Sequence, residues 1–338
     1  MVTIKDVARL SGVSIKTVSR VVNDMPEVSP DTRQKVQQVI LELGYQPNTM
    51  ARSLVNGRTN TVGVVIHRSA DYIFTHPFFN EVLRGIAEVL SANNFNLLLY
   101  LSHEEAPYVR LFSQRLADGI ILMSIPTEDP NLKGLEESGV PCVFTCRTTE
   151  GSNSINWVDA DFAGGVEQAA EHLISLGHRR IALLAGTTSL VSVRLRVQGY
   201  QNALSRHRIP MKKEYILYGD FTSESGYLLT TDVMKLPESP TALLCGDDTM
   251  AFGAIGALKE LGYRVPEDVS VIGFDDISLA RFSSPPLTTI QQDTYQKGRI
   301  AAETLLTLML SKNALPPTQI VLNTSLVTRS STAPAPGQ

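Results

Sequence analysis

Cysteine is scarce in this sequence: Cys142, Cys146 and Cys245 are the only three, set in apolar surroundings without paired spacing. A disulfide framework or a four-ligand zinc site needs more, so reduced thiols in a cytoplasmic protein are expected, with no metal and no cofactor. Long apolar runs are missing too. Nothing approaches the ~20 consecutive apolar residues of a membrane span, and the opening MVTIKDVARL has no basic start followed by an apolar run. Neither a membrane partner nor secretion is therefore expected. Catalytic constellations are equally absent. The six histidines are scattered, and His172 and His178 have no nucleophile or metal partner beside them. GTTSLVS lacks the lysine of a P-loop, and the glycines of GAIGALKELG fall in a helical stretch rather than after a strand. An enzyme is not expected.

What remains is 338 residues, 43% hydrophobic and 19% charged, which is material for two or three globular units. The net charge of −4 is unevenly spread. Residues 1–60 hold eight Lys/Arg against five acids, a surplus of +3 that leaves −7 for the rest. A basic head on an acidic body suits a head that meets phosphate and a body that does not.

Within the head, Thr3-Ile4-Lys5-Asp6 has the form of a capping box and marks a helix start. Ile4, Val7, Ala8 and Ser11 follow at helical spacing, and Gly12 can supply the positive φ of a tight turn. Ser14 caps a second helix whose Val18, Val21 and Val22 share a face. Two short helices joined by a glycine turn outline a helix-turn-helix. On the second, Lys16 and Arg20 are four apart and opposite the valines, where a major groove would lie. They are the expected base readers, with Thr17, Ser19 and Asn23 on phosphates and Lys5, Ser14, Ser29, Thr32 and Asn48 as further phosphate contacts. Ile15 fits either the core or a thymine methyl. Ser29-Pro30 opens a third helix with Val36, Val39, Ile40 and Leu43 as its buried stripe and Gly44 as its end. Asn48 can then cap about two more turns that Gly57 would stop. A helix so short is marginal alone and needs a partner.

TIKDVARLSGVSIKTVSRVVND followed by YQPNTMARSLVNGRTNTVGVV resembles the start of the LacI/GalR family of bacterial transcriptional repressors. The resemblance implies that the short segment is a hinge helix, paired across a dimer in the minor groove, with Leu54 as the wedge and Ala51 beside it. An apolar wedge that unstacks a base step and kinks DNA is a known physical device.

From Thr61 onward short apolar runs alternate with amphipathic stretches. TVGVVIH, FNLLLYL, DGIILMS, PCVFT, RIALLAG, TALLCG and VSVIGF are predicted strands. Helices are predicted near 79–93, 161–176, 192–207, 247–261 and 294–312. Such alternation predicts parallel sheets covered on both faces, and the strand number suits two α/β subdomains. The resemblance, which also covers AEHLISLGHRRIALLAG, VSVRLRVQGYQNAL, VIGFDD and PPLTTIQQD, implies a two-lobed sensor similar to type I periplasmic sugar-binding proteins. The predicted organisation is a helix-turn-helix domain over 1–46, hinge helix and linker over 47–60, an effector-binding and dimerisation domain over 61–330, and a disordered tail over 331–338.

Ligands of open α/β sheets sit beyond the carboxyl ends of the strands. Arg196, Asp247 and Asp275 follow three such ends, and one guanidinium with two carboxylates can fork onto vicinal hydroxyls, as a sugar presents them. Asp248 competes with Asp247 for the role of helix cap. The resemblance places Arg196, Asp275 and Ser192 among effector contacts, and the expected set includes Arg147 and Gln292. Phe78, Phe79, Phe221 and Trp157 could be a ring platform or core. Two departures bear on the ligand. Cys146 stands where many relatives have an aspartate, and Leu190 replaces an arginine of purine-binding members, which argues against a purine. The tail SSTAPAPGQ has no leucine heptads, so a homodimer on a pseudo-palindromic double-stranded operator is expected, one helix reading one half-site. The expected activity is sequence-specific repression controlled by a small, carbohydrate-type effector. A transport receptor for sugars is opposed by the head and by the missing signal.

Overall fold

The computed structural model describes residues 2–46, 58–101, 108, 110–148, 154–311 and 313–337. The chain divides into two compact units, Met1–Thr59 and Asn60–Gln338. Asn48, Ala51 and Leu54, the residues expected in the hinge helix, lie outside the described residues.

The first unit holds α1 (Ile4–Ser11), α2 (Ile15–Val22) and α3 (Pro30–Leu43). The Asp6 carboxylate closes the first turn of α1, accepting the Thr3 N–H at 3.1 Å and the Thr3 hydroxyl at 2.7 Å. Gly12 ends the helix at φ 65°, a left-handed conformation that costs glycine little. Ser14 caps α2 by accepting the Thr17 N–H at 3.1 Å. At the start of α3 the Ser29 hydroxyl turns to Thr32 Oγ1 at 2.9 Å instead of capping, and Pro30 sets the first turn. Val7, Ala8, Val18, Val21 and Val36 are buried together, bordered by Ile4, Val22, Val39, Ile40 and Leu43. The predicted stripes of all three helices meet in one core.

The second unit is built on β1 (Thr61–Ile66), β2 (Asn96–Leu101), β3 (Gly119–Met123), β4 (Cys142–Phe144), β5 (Asn156–Ala160), β6 (Ile181–Ala185), β7 (Ile216–Tyr218), β8 (Ala242–Cys245), β9 (Ser270–Asp275), β10 (Thr288–Gln292), β11 (Gln319–Leu322) and β12 (Thr324–Val327). The helices between them are α4 (Ala70–Thr75), α5 (Pro77–Ala92), α6 (Arg110–Ser113), α7 (Asn131–Ser138), α8 (Phe162–Ser175), α9 (Val191–Arg206), α10 (Ser223–Val233), α11 (Asp248–Glu260) and α12 (Thr294–Leu310). Two six-stranded sheets result, ordered β11-β5-β4-β3-β1-β2 and β12-β10-β9-β8-β6-β7. Every pairing is parallel except β10 with β12. Each sheet forms one lobe.

The chain passes between the lobes three times, after Ala160, after Gln292 and at Asn323. The first two crossings end alike. Asp161 and Asp293 have φ/ψ of −76°/78° and −80°/80°, and each caps the next helix through an N–H 2.9 Å away. The second crossing brings α12 back onto the first lobe, where it packs against α5.

The tail corrects an expectation. Residues 331–335 are docked on the second lobe rather than disordered. The buried Ser331 hydroxyl accepts the Thr288 N–H at 2.8 Å and donates to Val271 O at 2.6 Å. Ala333 O lies 3.0 Å from His178 Nε2, and the Ala335 N–H donates to Leu176 O at 2.8 Å. Low complexity misleads here because the tail is held largely through its backbone groups, which composition does not reveal.

Candidate functional site

On α2 the valine face is buried and the opposite face is open. Ile15 is 46% exposed and takes no part in the core, which removes one of its two readings. Lys16 is exposed and Arg20 partly exposed on that same side, and Lys5 is exposed on α1. The small polar residues are more committed. Ser14 and Thr17 bond each other, Ser29 bonds Thr32, and Asn23 Nδ2 donates to Ser19 O at 2.9 Å. Asn23 thus helps finish α2, and its Oδ1 is buried with no partner among the described residues.

Between the lobes lies a cavity with about 600 Å³ of free space, its mouth included. It opens at the carboxyl ends of the parallel strands, where helix starts and loops supply polar groups. Phe78, Phe79, Ser192, Arg196, Phe221, Asp247, Asp275 and Gln292, all expected there, line it. Arg147 and Trp157 do not. The Arg147 Nε donates to Asp159 Oδ2 at 3.0 Å and its guanidinium stacks 5.1 Å from the Trp157 ring, outside the lining. The fully buried Asp159 carboxylate draws Arg147 away from the cleft.

Arg196 is the central cation. It comes from the second turn of α9, is 4% exposed, and its guanidinium carbon sits 4.2 Å from the Phe162 ring centre and 4.6 Å from that of Phe274. One bond, to Ser192 O at 3.3 Å, is made within its own helix, and the buried Nε has no acceptor among the described residues. Desolvation lowers its pKa, and the charges of Asp275 and Asp247 compensate only in part.

Asp247, not Asp248, is the cap of α11, through Oδ1 to the Met250 N–H at 2.7 Å. Its other oxygen reaches across the cleft to His76 Nε2 at 2.8 Å. His76 caps α5, its Nδ1 3.4 Å from the Phe78 N–H, so one imidazole ties a helix start of the first lobe to one of the second. Desolvation opposes charging of this ring, but the bond and charge of Asp247 outweigh it and raise the pKa. Asp248 lies behind, bonded to Thr289 Oγ1 and the Ile277 N–H. Asp275 accepts from Gln292 Nε2, and its carboxyl is pushed up to about 6, first by desolvation and then by the charge of Asp247.

Backbone strain gathers at the same place. Ser124, Phe221 and Asp275 all line the cavity with positive φ, 53°, 69° and 110°. Such conformations persist only where surroundings enforce them and cluster at ligand sites. The Phe221 ring lies so close over Gly186 that a Cβ there would fall 1.9 Å from it.

Sequence reasoning missed His76, Lys297, Arg68, Tyr72, Phe162, Ser124 and Thr145, which also line the wall. Lys297 did leave a signal. With Ala301 and Leu305 it falls at i, i+4 and i+8 on the buried stripe of α12, where a lysine is out of place. Cys146 lines the wall as a neutral thiol, its pKa pushed up to about 12 by desolvation and the Asp159 charge.

Comparison with known proteins gives these features a setting. Residues 3–48 match the model of bacterial regulatory proteins of the lacI family, and residues 170–332 match a periplasmic binding protein-like domain. The chain is 37% identical to the HTH-type transcriptional regulator CelR of Thermobifida fusca, over 97% of this chain and 98% of that one. It is 36% identical to catabolite control protein A of Priestia megaterium, over 93% and 94%. Among solved structures it is similar to a lac repressor dimer bound to operator and the anti-inducer ONPF, with TM-score 0.86, 32% identity and coverage of 98% and 99%. A CelR–cellobiose complex aligns with TM-score 0.77 and 34% identity over 98% and 100%. These relatives are transcriptional regulators, not enzymes. The chain belongs to the lacI family of bacterial regulatory proteins.

Proposed function

We propose that the chain is a dimeric transcriptional repressor whose affinity for a pseudo-palindromic operator is set by a carbohydrate-type effector held between the two lobes. The observation that carries the effector half is Arg196. A guanidinium this deeply buried, stacked on aromatic rings and left with an unused Nε, calls for an acceptor in the cavity it lines. Asp247 and Asp275 beside it supply acceptors for hydroxyl protons, and Phe78, Phe79 and Phe221 an apolar wall. The solved relatives holding cellobiose and ONPF support the same class of ligand.

The reading half rests on α2. Arg20 and Lys16 offer donors to guanine O6 and N7, Ile15 an apolar contact for a thymine methyl, and Lys5, Ser14, Thr17, Ser19, Ser29 and Thr32 hydroxyls or charge for phosphates. Asn23 is the weakest member of this set, since its amide is engaged with Ser19. Asn48, Ala51 and Leu54 are assigned the hinge contacts on the resemblance alone. Coupling needs two arrangements of the lobes that the ligand binds unequally. Three chain crossings limit the lobes to a hinge motion, and the His76–Asp247 bond is the contact an effector would compete with or reinforce.

Two measurements test the proposal. In gel shifts, Arg20→Ala should weaken operator binding by about 1–3 kcal/mol and relax the preference at one base pair of each half-site. Unchanged affinity and preference would remove α2 from the reading role. In thermal-shift screens, sugars should raise the melting temperature of the wild type and not of Arg196→Ala.

A further inference from the structure

Lys297 is a buried lysine on the cavity wall, where desolvation works against its charge and Asp159 partly supports it. It is 1% exposed, and its ammonium lies between two cavity-lining rings, 5.2 Å from the centre of Phe162 and 5.8 Å from that of Phe78. An aliphatic side chain would fill that space without desolvating an ion. The ammonium donates to Gln292 Oε1 at 3.0 Å, a neutral acceptor. Its nearest carboxylate oxygen, Asp159 Oδ1, is 3.9 Å away, a buried ion pair without a direct hydrogen bond. That carboxylate is already served. Oδ2 accepts from the Arg147 Nε at 3.0 Å and its N–H at 3.2 Å, and Oδ1 from the Ala160 N–H at 2.9 Å. Taking a lysine ammonium out of water costs several kcal/mol unless a counter-charge meets it.

The other cavity charges lean the same way. Arg196 shares the Phe162 ring with Lys297, and Arg68 adds a second guanidinium to the wall. Against these stand Asp247, engaged by His76, and Asp275, engaged by Gln292. The lining is net cationic, with two buried cations gathered on one ring.

We infer that the effector is an anionic carbohydrate whose acidic group is received by Lys297, with Arg196 beside it. Asp247 and Asp275, although bonded to His76 and Gln292, keep lone pairs that can accept from its hydroxyls. This rests on the carbohydrate reading above and narrows it to one class. A sugar acid and a sugar phosphate share the required chemistry, an oxyanion on a polyhydroxylated chain.

The test is titration calorimetry on the full-length protein with matched probes that differ in charge. Gluconate is paired with gluconamide, glucuronate with glucuronamide, galacturonate with galactose, and glucose 6-phosphate with glucose. The anionic member of at least one pair should bind tighter by about tenfold or more, as expected for a buried charge-assisted bond. Lys297→Met should erase that preference and Lys297→Arg should keep it. Whether the carboxylate or the phosphate pairs show it identifies the oxyanion. Neutral members binding as tightly as their anionic partners would overturn the inference while leaving a carbohydrate effector in place. So would a preference that survives Lys297→Met. Binding by no probe would overturn the carbohydrate reading itself, and this inference with it. Should Lys297→Met fail to fold, the paired probes on the wild type decide alone.

Discussion

Asp275 shows what a ligand site asks of one side chain. It is held at φ 110°, removed from water and placed near a second carboxylate, and its carboxyl rises from 3.8 to about 6. A carboxyl whose folded pKa is raised adds its full stability only below its unfolded value, and that contribution fades as pH climbs through the folded one. The wild type should therefore lose up to about 3 kcal/mol between pH 4 and 7 through this group. Asp275→Asn should not lose it, which urea denaturation at several pH values would show, and parallel profiles would contradict the assignment. The same variant should bind sugar poorly, since stability and function oppose each other at this residue. Arg196, Asp247 and Asp275 were legible in sequence because each follows an apolar strand, and strand ends are where such sheets put ligands. His76 was not, because its meaning lies in a partner 171 positions away. Arg147 looked equally promising, but buried Asp159, which no local pattern flags, claims it.

At the scale of elements, α5 and α12 meet through glycine. A Cβ on Gly298 would fall 2.1 Å from Val82 O, and one on Gly85 2.2 Å from Tyr295 O. Both are backbone atoms, so neither side can yield by turning a side chain. Gly298→Val should cost about 1–3 kcal/mol in urea denaturation, like other overpacking changes. A cost below about 0.5 kcal/mol would mean that the helices separate freely, as at an ordinary surface position. Because α12 also carries Lys297, the same substitution should disturb ligand affinity. The apolar strands β1 to β4, β6, β8 and β9 were legible as apolar runs, although β2, at the edge of its sheet, is only half-buried. β10 was not: TTIQQ is polar, yet Thr288 and Thr289 are fully buried because Arg329, Ser331 and Asp248 bond them. β7 and β12 are edge strands of three and four residues, too short for a period to show. β11, also at an edge and only four residues long, alternates exposed and partly buried positions and reads like a loop.

For the molecule as a whole, the C-terminal tail behaves differently from its composition. Truncation after Ser330 should lower the melting temperature by several degrees, because the buried Thr288 N–H loses its Ser331 acceptor at about 1–3 kcal/mol and His178 keeps only Ser270 at its Nε2. An unchanged melting curve would show that the tail merely rests on the surface. The charge division also has an expected whole-molecule consequence. DNA binding should fall steeply with salt, and ligand binding to the acidic body should vary far less. The three crossings between the lobes have one more consequence, which concerns the order of synthesis. The first sheet begins at Thr61 but gains β11 and the covering helix α12 only after nearly all of the second lobe has been made. Neither lobe can therefore be completed on the ribosome ahead of the other. A nascent chain of some 290 residues would hold an exposed flank on its first lobe until the last fifty arrive.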